Sequence, residues 1–526
     1  MEKINESIVK DLIRARLKNA ADLASFKRKV SKKYKISCLG NIELLKSYHN
    51  LLKNKRIKRT PQIENLLKTR PVRSLSGIVN VSVLTKSWPC PGKCLYCPKE
   101  RGLPKSYLSG EPAVERAKKL HFDPYLQVLR RLETLKNEGH PTDKIELRIV
   151  GATWSCYPKK YQDWFIKRCF DAANEKNSKN QNLAQKQNEK ARQRIIGLSV
   201  ETRPDFINPE EIKRLRDLGV TLVELGIQSI YDDVLKKNVR GHLRKEIISA
   251  TRLLKDAGFK VLYQIMPNLY GSSIKKDLKM AEELFSNPDF RPDLLKIYPC
   301  APLKEAPLYK LWKNKKYRPY TEKQLINLLK ETKKKVPYYV RIQRIARDIS
   351  QKKILEGPAK ILNIRQILTT LAKKEGWRCK CIRCREVKED YNSKEKLYLF
   401  RQDYPASDGK EIFLSFENKN RAKLYSLLRL RVTQSKDTAL IREVHTYGPL
   451  LSLSSRGRIS NGASQHRGLG KKLIKEAEKI IYTEFKRSGK KESGVKKIAV
   501  IAAIGAREYF RRLGYKLENT YMVKNI

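Results

Sequence analysis

The sequence predicts an α/β protein: a run of strand–helix repeats, then a smaller strand-and-helix module, behind a helical, basic amino-terminal segment. Three observations predict it. Short apolar runs alternate with helical periodicity between about residues 75 and 300. A basic, helical stretch follows and ends in clustered cysteines. Strand patterns and a Gly-rich helix start then return before the end of the chain. At 526 residues the chain exceeds one core and calls for two or three domains. The expected segments are 1–72, 73–300, 301–392 and 393–526.

In the first segment Ile4, Ile8, Leu12, Ile13 and Leu17 recur at three- and four-residue steps, one face of a helix. The stretch Leu51–Thr60 is strongly basic, either a solvated helix face or a phosphate-binding patch. Strand-like runs then fall at Gly77–Lys86, Glu146–Thr153, Ile195–Glu201, Leu222–Ser229, Val261–Pro267 and Leu294–Pro299. Helical runs separate them, for example Tyr161–Lys176, Pro209–Leu218, Lys245–Ala257 and Ser273–Phe285. The polar stretch Glu175–Arg194 reads as a helix extension or a loop. Repeats with short links imply a parallel sheet, open or curled into a partial barrel, with its site at the carboxyl ends of the strands. In the last segment Leu427–Val432, Ala439–His445, Lys497–Ala503 and Tyr521–Val523 read as strands, with a helix after Gly470.

The balance of 114 Lys and Arg against 55 Asp and Glu gives +59. That points to a polyanionic partner, above all nucleic acid, whose counterions are released on binding. A generally basic proteome is the plainer explanation. No run approaches the length of a membrane span, and the charged amino terminus is unlike a signal peptide. A cytoplasmic protein with no membrane contact is therefore expected. Of ten cysteines, six form two tight groups and Cys38, Cys156, Cys169 and Cys300 are scattered. That is the distribution of metal sites in a reducing compartment.

The first cysteine group, Cys90, Cys94 and Cys97, follows the first strand in a CxxxCxxC loop. Three thiolates from one turn suit a [4Fe-4S] cluster with one iron left open, which is what S-adenosylmethionine (SAM) needs to be bound and cleaved. Zinc would want a fourth ligand nearby, and the loop has none. Tyr96 either shields the cluster or simply packs. Gly151, Ala152 and Thr153 end the second strand, where small residues admit the polar end of SAM. Glu201 ends the third strand, and Glu224, Gly226 and Gln228 share a face of the fourth. Ligand binding or a structural polar network would each explain them. Gln465, Gly468 and Gly470 match the Q/R-x-x-G-x-G/A turn with which GNAT acetyltransferases hold the acetyl-CoA pyrophosphate. Tyr509 lies where that fold brings a hydroxyl to the thioester, or is a core aromatic. Cys379, Cys381 and Cys384 suit a structural zinc, with Cys300 or His445 as the fourth ligand, or a second cluster.

These motifs occur in one order, together with Val72–Gly77, Ser106–Pro112, Asp123–Gln127, Val223–Asp233, Arg291–Tyr298, Cys381–Glu386 and Tyr521–Lys524. In that combination the chain resembles the catalytic subunit of Elongator over about residues 70–526. The resemblance implies a partial (β/α)6 radical-SAM barrel followed by a GNAT domain, the 1–72 region binding tRNA. It implies that a 5′-deoxyadenosyl radical from SAM removes a hydrogen from the methyl group of acetyl-CoA. The carbon radical then adds to C5 of the wobble uridine in a tRNA anticodon stem-loop, and thioester hydrolysis leaves 5-carboxymethyluridine. By matching position, Lys144, Glu443, Val444, His445, Thr446, Leu469, Gly470, Lys471 and Phe510 would contact acetyl-CoA. Tyr509 and Glu443 are the expected catalytic residues, Glu443 as the base that simple acetyl transfer to an amine would want. An unidentified electron donor is implied, and a homo-oligomer or accessory subunits are raised as partners. The whole reading requires the open iron to face the thioester.

The chain departs from the family pattern in its shorter first cysteine spacing, in Ala152 for Gly, in Gln264–Pro267 for His-Met-Met-Pro, and in Phe510 for a second Tyr. The last removes a hydroxyl that Tyr509 or Tyr515 would have to replace. Two other readings compete: a protein lysine acetyltransferase on a cysteine scaffold, and a non-catalytic RNA-binding protein.

Overall fold

A computed structural model describes residues 2–361, 363–388, 391–392, 394–433, 437–448, 468–486 and 494–526. Two seven-stranded sheets dominate it. The first comprises β1 (Val79–Leu84), β2 (Lys144–Val150), β3 (Arg194–Thr202), β4 (Leu222–Gln228), β5 (Lys260–Ile265), β6 (Leu294–Ile297) and β7 (Arg341–Ile345), in sequence order. Every pairing is parallel. Six of the strands match the runs read from sequence. The seventh comes from the segment read as purely helical, and it hid because Arg341, Gln343 and Arg344 make a basic run rather than an apolar one. Asn80 on one edge strand and Gln343 on the other line the same cavity, so the sheet curls into a half-closed barrel.

The alternation within each strand explains the barrel's chemistry. In β2, Ile145, Leu147 and Ile149 are buried in the main core, while Lys144, Glu146 and Arg148 alternate with them toward the lumen. The lumen is thus polar on one wall and carries a small apolar cluster, Leu222, Leu262 and Leu294, on the other. The polar stretch after Glu175 is a separate helix, Gln181–Asn188, capped by Asn180. Its Asn188 side chain bonds the Gln193 carbonyl and the Ile195 amide at the foot of β3.

The second sheet comprises β8 (Tyr398–Ala406), β9 (Gly409–Glu417), β10 (Leu424–Val432), β11 (Thr438–Thr446), β12 (Lys497–Val500), β13 (Lys516–Glu518) and β14 (Tyr521–Asn525). Its order is β13-β14-β12-β11-β10-β9-β8, with β11 and β12 alone parallel. The β8–β9 hairpin, missed in the sequence, turns on Ser407 and Asp408, both at positive φ as a two-residue loop demands.

The amino-terminal helices Glu2–Arg14, Ala20–Tyr34, Asn41–Lys53 and Pro61–Leu67 have their own apolar core, including Ile8, Leu12, Leu45 and Tyr48. The basic Leu51–Thr60 stretch is not one helix face: the helix stops at Lys53, and Arg56 and Arg59 pair with Glu6 and Glu64. Among the described residues no helix is long and apolar enough to cross a membrane.

The second sheet docks under the amino-terminal ends of the barrel strands. Asp293, just before β6 and fully buried, accepts two bonds from Arg442 of β11 at 3.1 and 2.5 Å. Arg442 also bonds Glu411 at 2.9 Å and the Phe259 carbonyl at 2.6 Å. Arg431 reaches Asp256, and Arg429 reaches the Tyr339 carbonyl. Lys255 lies 4.0 Å from Asp293 and 3.9 Å from Glu411. The cations outweigh the upward push of burial and hold the Asp293 carboxyl well below its usual range.

Removing one partner of a buried pair strands the others. Asp293→Ala is expected to lower stability by about 3–5 kcal/mol in urea unfolding. Breaking the exposed Arg252–Asp408 pair with Arg252→Ala should change it by less than about 1 kcal/mol. A depressed carboxyl stabilises the fold above its unfolded pKa of about 4 and loses that contribution as pH falls. The acid limb of the stability profile should therefore be shallower in Asp293→Ala.

Candidate active site

The cysteine loop leaves the carboxyl end of β1 and is pinned by backbone bonds from Leu95 to Asn238 and from Leu308 to Leu95. Gly92 lets the loop pass close to its neighbours: a Cβ there would fall 2.7 Å from the Arg203 guanidinium, which would have to shift, and 3.4 and 3.7 Å from the Cys94 and Cys90 sulfurs. Arg240 donates to the Cys94 sulfur at 3.5 Å. Burial pushes the Cys94 thiol up, but Arg240 and its hydrogen bond bring the net effect down. Cys97 goes the other way, to about 12, through burial first and the neighbouring Cys94 sulfur second. Cationic side chains beside these crowded sulfurs favour the thiolate, the form that ligates a metal.

The two cysteine groups differ in reach. Cys379, Cys381 and Cys384 bring their sulfurs within 4.8 Å of one another, the grip of a single ion, and Lys333 donates to Cys384 at 3.4 Å. Cys90, Cys94 and Cys97 do not converge so closely, which fits a larger polynuclear body. Neither expected fourth zinc ligand joins the tight group. Cys300 packs with Cys94, Tyr96 and Tyr317 beside the other loop, and His445 stacks on Tyr447, 4.3 Å between centroids. Among the described residues no fourth Cys, His, Asp or Glu completes the set.

A cavity of about 500 Å³ opens beside the cysteine loop and extends into the lumen. Tyr96, Cys97, Glu201, Gln228, Gln264, Lys296 and Arg148 line it. Gly151 stands at its edge at φ +148°, and a Cβ there would lie 1.8 Å from the Thr85 hydroxyl. Ala152 is left-handed at φ 73°, and the Thr153 hydroxyl lies 3.9 Å from the Cys90 sulfur. The expected Gly-Ala-Thr edge therefore meets the cysteine loop directly. Glu201 accepts from Tyr107 at 2.8 Å and from Gln264 at 3.3 Å. Burial raises its carboxyl, opposed by Lys296 and reinforced by Glu224. Lys296 is ion-paired to Glu224, so that part of the β4 face is a polar network, while Gln228 faces the cavity. Gln264 was noted in the sequence only as a departure from the family pattern, and Arg203, Arg240 and Lys296 were not singled out as site residues. They come from separate strands and loops that only the barrel gathers.

The acetyl-CoA residues assemble at the other end. A Cβ on Gly470 would lie 3.4 Å from the Tyr509 hydroxyl, 3.7 Å from the Thr446 hydroxyl and 3.7 Å from Val444. Gly468 is left-handed, the helix Leu469–Ile480 begins behind it, and Lys471 is exposed at its first turn. Gln465 lies outside the described residues. Tyr509 is 43% exposed, so it is not a core aromatic. Phe510 is one: it is buried in the second sheet's core between Tyr509 and Tyr515. Tyr515 does not replace the missing hydroxyl, because it is buried and bonded to Glu478 at 2.8 Å.

Glu443 is not the expected base. It accepts from Arg429 at 2.8 Å and pairs with Lys260 at 3.3 Å. Burial would raise its carboxyl, but Lys260 and then Arg429 hold it at about 2, too acidic to take a proton at neutral pH. His445, lowered to about 4 mainly by burial, is neutral there, and its buried Nε2 has no hydrogen-bond partner among the described residues. Lys144 stands at the foot of β2, and the cysteine loop is level with its top. Seven residues of strand separate these levels by roughly 20 Å. The two expected sites therefore do not face each other directly. The cysteine loop lies at the top of the barrel, and Glu443 meets its foot through the ion pair with Lys260.

Comparison with known proteins agrees with this architecture. Residues 90–284 match the Radical SAM superfamily and residues 292–373 the Radical SAM C-terminal domain. The chain is 45% identical over 480 residues to tRNA uridine(34) acetyltransferase of Methanocaldococcus infernus, covering 88% of each. It is 36% identical over 486 residues to Elongator complex protein 3 of Danio rerio, covering 88% of this chain and 86% of that one. The solved structure of Methanocaldococcus infernus Elp3 with an amino-terminal deletion superposes with a TM-score of 0.73 at 42% identity, over 86% of this chain and 100% of that one.

Two neighbouring substitutions should act in opposite directions. Gly151→Ala drives a methyl into Thr85 and should lower both the melting temperature and the iron retained after reconstitution. Ala152→Gly relieves a left-handed alanine and should stabilise the protein by about 1 kcal/mol in urea unfolding.

Proposed function

Because the chain belongs to the tRNA uridine(34) acetyltransferase and Elongator complex protein 3 family, we propose that it forms 5-carboxymethyluridine at the wobble uridine of tRNA, from acetyl-CoA and SAM. The observation that supports this reading is the polar cavity beside the thiol loop at the carboxyl ends of the barrel strands, together with a Gly-rich helix start set against Tyr509, Thr446 and Val444 in the second sheet's domain. Membership of the Radical SAM superfamily implies a [4Fe-4S] cluster and SAM. When bound, they supply one-electron cleavage of SAM to methionine and a 5′-deoxyadenosyl radical.

The residues divide the work. Cys90, Cys94 and Cys97 would hold the cluster, with Arg240 favouring the thiolate at Cys94. Gly151, Ala152, Thr153, Glu201 and Gln228 would bind SAM at the upper mouth. Val444, Thr446, Leu469, Gly470 and Lys471 would hold acetyl-CoA below, with the Tyr509 hydroxyl beside Gly470 to orient the thioester. Lys144, Glu443 and His445 would line its approach to the lumen, Glu443 as a fixed anion. The wobble uridine of the anticodon stem-loop would enter from above and the acetyl group from the foot, so the two meet inside. Cys379, Cys381 and Cys384 would hold a structural zinc. Residues 1–72 would add tRNA contacts, and 73–300, 301–392 and 393–526 would form barrel, extension and acetyl-CoA domain. The excess of 59 positive charges favours the RNA electrostatically. Acetylation of a protein lysine is the weaker reading, because the Glu443 base it needs is locked in ion pairs.

Anaerobic reconstitution with iron and sulfide should give SAM cleavage on reduction and, with tRNA and acetyl-CoA, 5-carboxymethyluridine by nucleoside mass spectrometry. Cys94→Ser should abolish both. Modified tRNA from that variant would rule out the radical route.

A further inference from the structure

Of five tryptophans, Trp88 and Trp164 are the exposed ones, at 36% and 43%, and they are the two ends of one ladder of rings. Trp88 lies 6.1 Å from Tyr157, Tyr157 stacks on Tyr161 at 5.3 Å, and Tyr161 lies 5.6 Å from Trp164. We propose that this ladder is a stacking surface for unpaired bases of the RNA loop presented to the barrel mouth. The proposal rests on the tRNA reading above and adds the surface that would steer the loop.

Position, rigidity and charge carry the inference. Trp88 precedes Cys90 by two residues, so the ladder adjoins the cysteine loop. The inner rings are fixed before any ligand arrives. The Tyr157 hydroxyl bonds Thr85 at 2.7 Å and the Lys86 carbonyl at 2.8 Å, and Tyr161 accepts from the Lys86 amide at 3.1 Å. Rings held this way lose little freedom on binding. Bracing the loop would explain the inner tyrosines, but it leaves the outward exposure of both tryptophans without purpose. Lys86, Lys159 and Lys160 are exposed around the ladder, and the Lys86 ammonium stands 5.1 Å from the Tyr161 ring. Both carboxylates on the same helix are already paired, Asp163 with Arg214 and Asp171 with Lys167, each at 2.7 Å. Flat π-faces within a cationic rim match a splayed nucleotide, whose base stacks while its phosphate finds a lysine.

The test uses the full, reconstituted chain and a fluorescent anticodon stem-loop RNA. Trp88→Ala and Trp164→Ala should each weaken binding by about 5- to 100-fold. The slope of log affinity against log salt should not change, because no phosphate contact is lost. The double variant Lys159→Ala/Lys160→Ala should instead flatten that slope. Trp164→Phe should restore most of the affinity. 2-Aminopurine beside the target uridine should be quenched by wild type and not by the tryptophan variants. Wild-type affinity and quenching in Trp88→Ala/Trp164→Ala would overturn the ladder alone. A shift of that variant to a smaller species in sedimentation would assign the face to protein contact and overturn it too. Failure of wild type to bind the stem-loop would remove the tRNA reading and this proposal with it.

Discussion

The Asp293 carboxylate, sealed between two arginines and a lysine, sets how the two sheets share one molecule. Buried charge is tolerated only when it is paired and hydrogen-bonded, and each partner here belongs to a different part of the chain. Arg442 and Arg429 come from the second sheet, Asp293 from the loop just before β6, and Lys255 from the helix Arg244–Asp256 that precedes β5. No partner can move without stranding the rest. The foot of the barrel is thereby set against β11, where Glu443 pairs with Lys260 while Val444 and Thr446, on the strand's other face, lie beside Gly470.

Strand alternation then does the rest. Because one face of β2 is spent on the apolar core, Lys144, Glu146 and Arg148 must point the other way, into a space shared with Glu201, Glu224 and Lys296. A parallel barrel usually fills its interior with branched apolar residues. Here the apolar layer shrinks to Leu222, Leu262 and Leu294, and polar groups occupy the remainder. This is an interior arranged around something other than itself.

Several readings survived because their signals are local. The cysteine loop falls after the first strand, and six strands lie within a few residues of their apolar runs. The Gly151 and Gly468 turns are where the spacing put them. Readings that depended on distant neighbours fared worse. Glu443 looked like a base until Lys260 and Arg429 arrived from elsewhere in the fold. Tyr515 offered a hydroxyl that Glu478 had already taken. Cys300 looked available for zinc, yet it belongs to the opposite cysteine loop.

The sequence alone determined the chemistry on offer: which thiols stand together, which turns only glycine can make, and how much positive charge the chain carries. These are set by spacing and residue type, which covalent connectivity fixes without help from the fold. The tertiary structure decided where that chemistry meets. It recruited Arg341–Ile345 as a seventh strand, set the thiol loop beside a polar cavity and the Gly-rich turn against Tyr509 and Thr446, and turned Glu443 into a fixed anion. Those outcomes depend on long-range ion pairs, whose partners lie tens to hundreds of residues apart and leave no period in the chain.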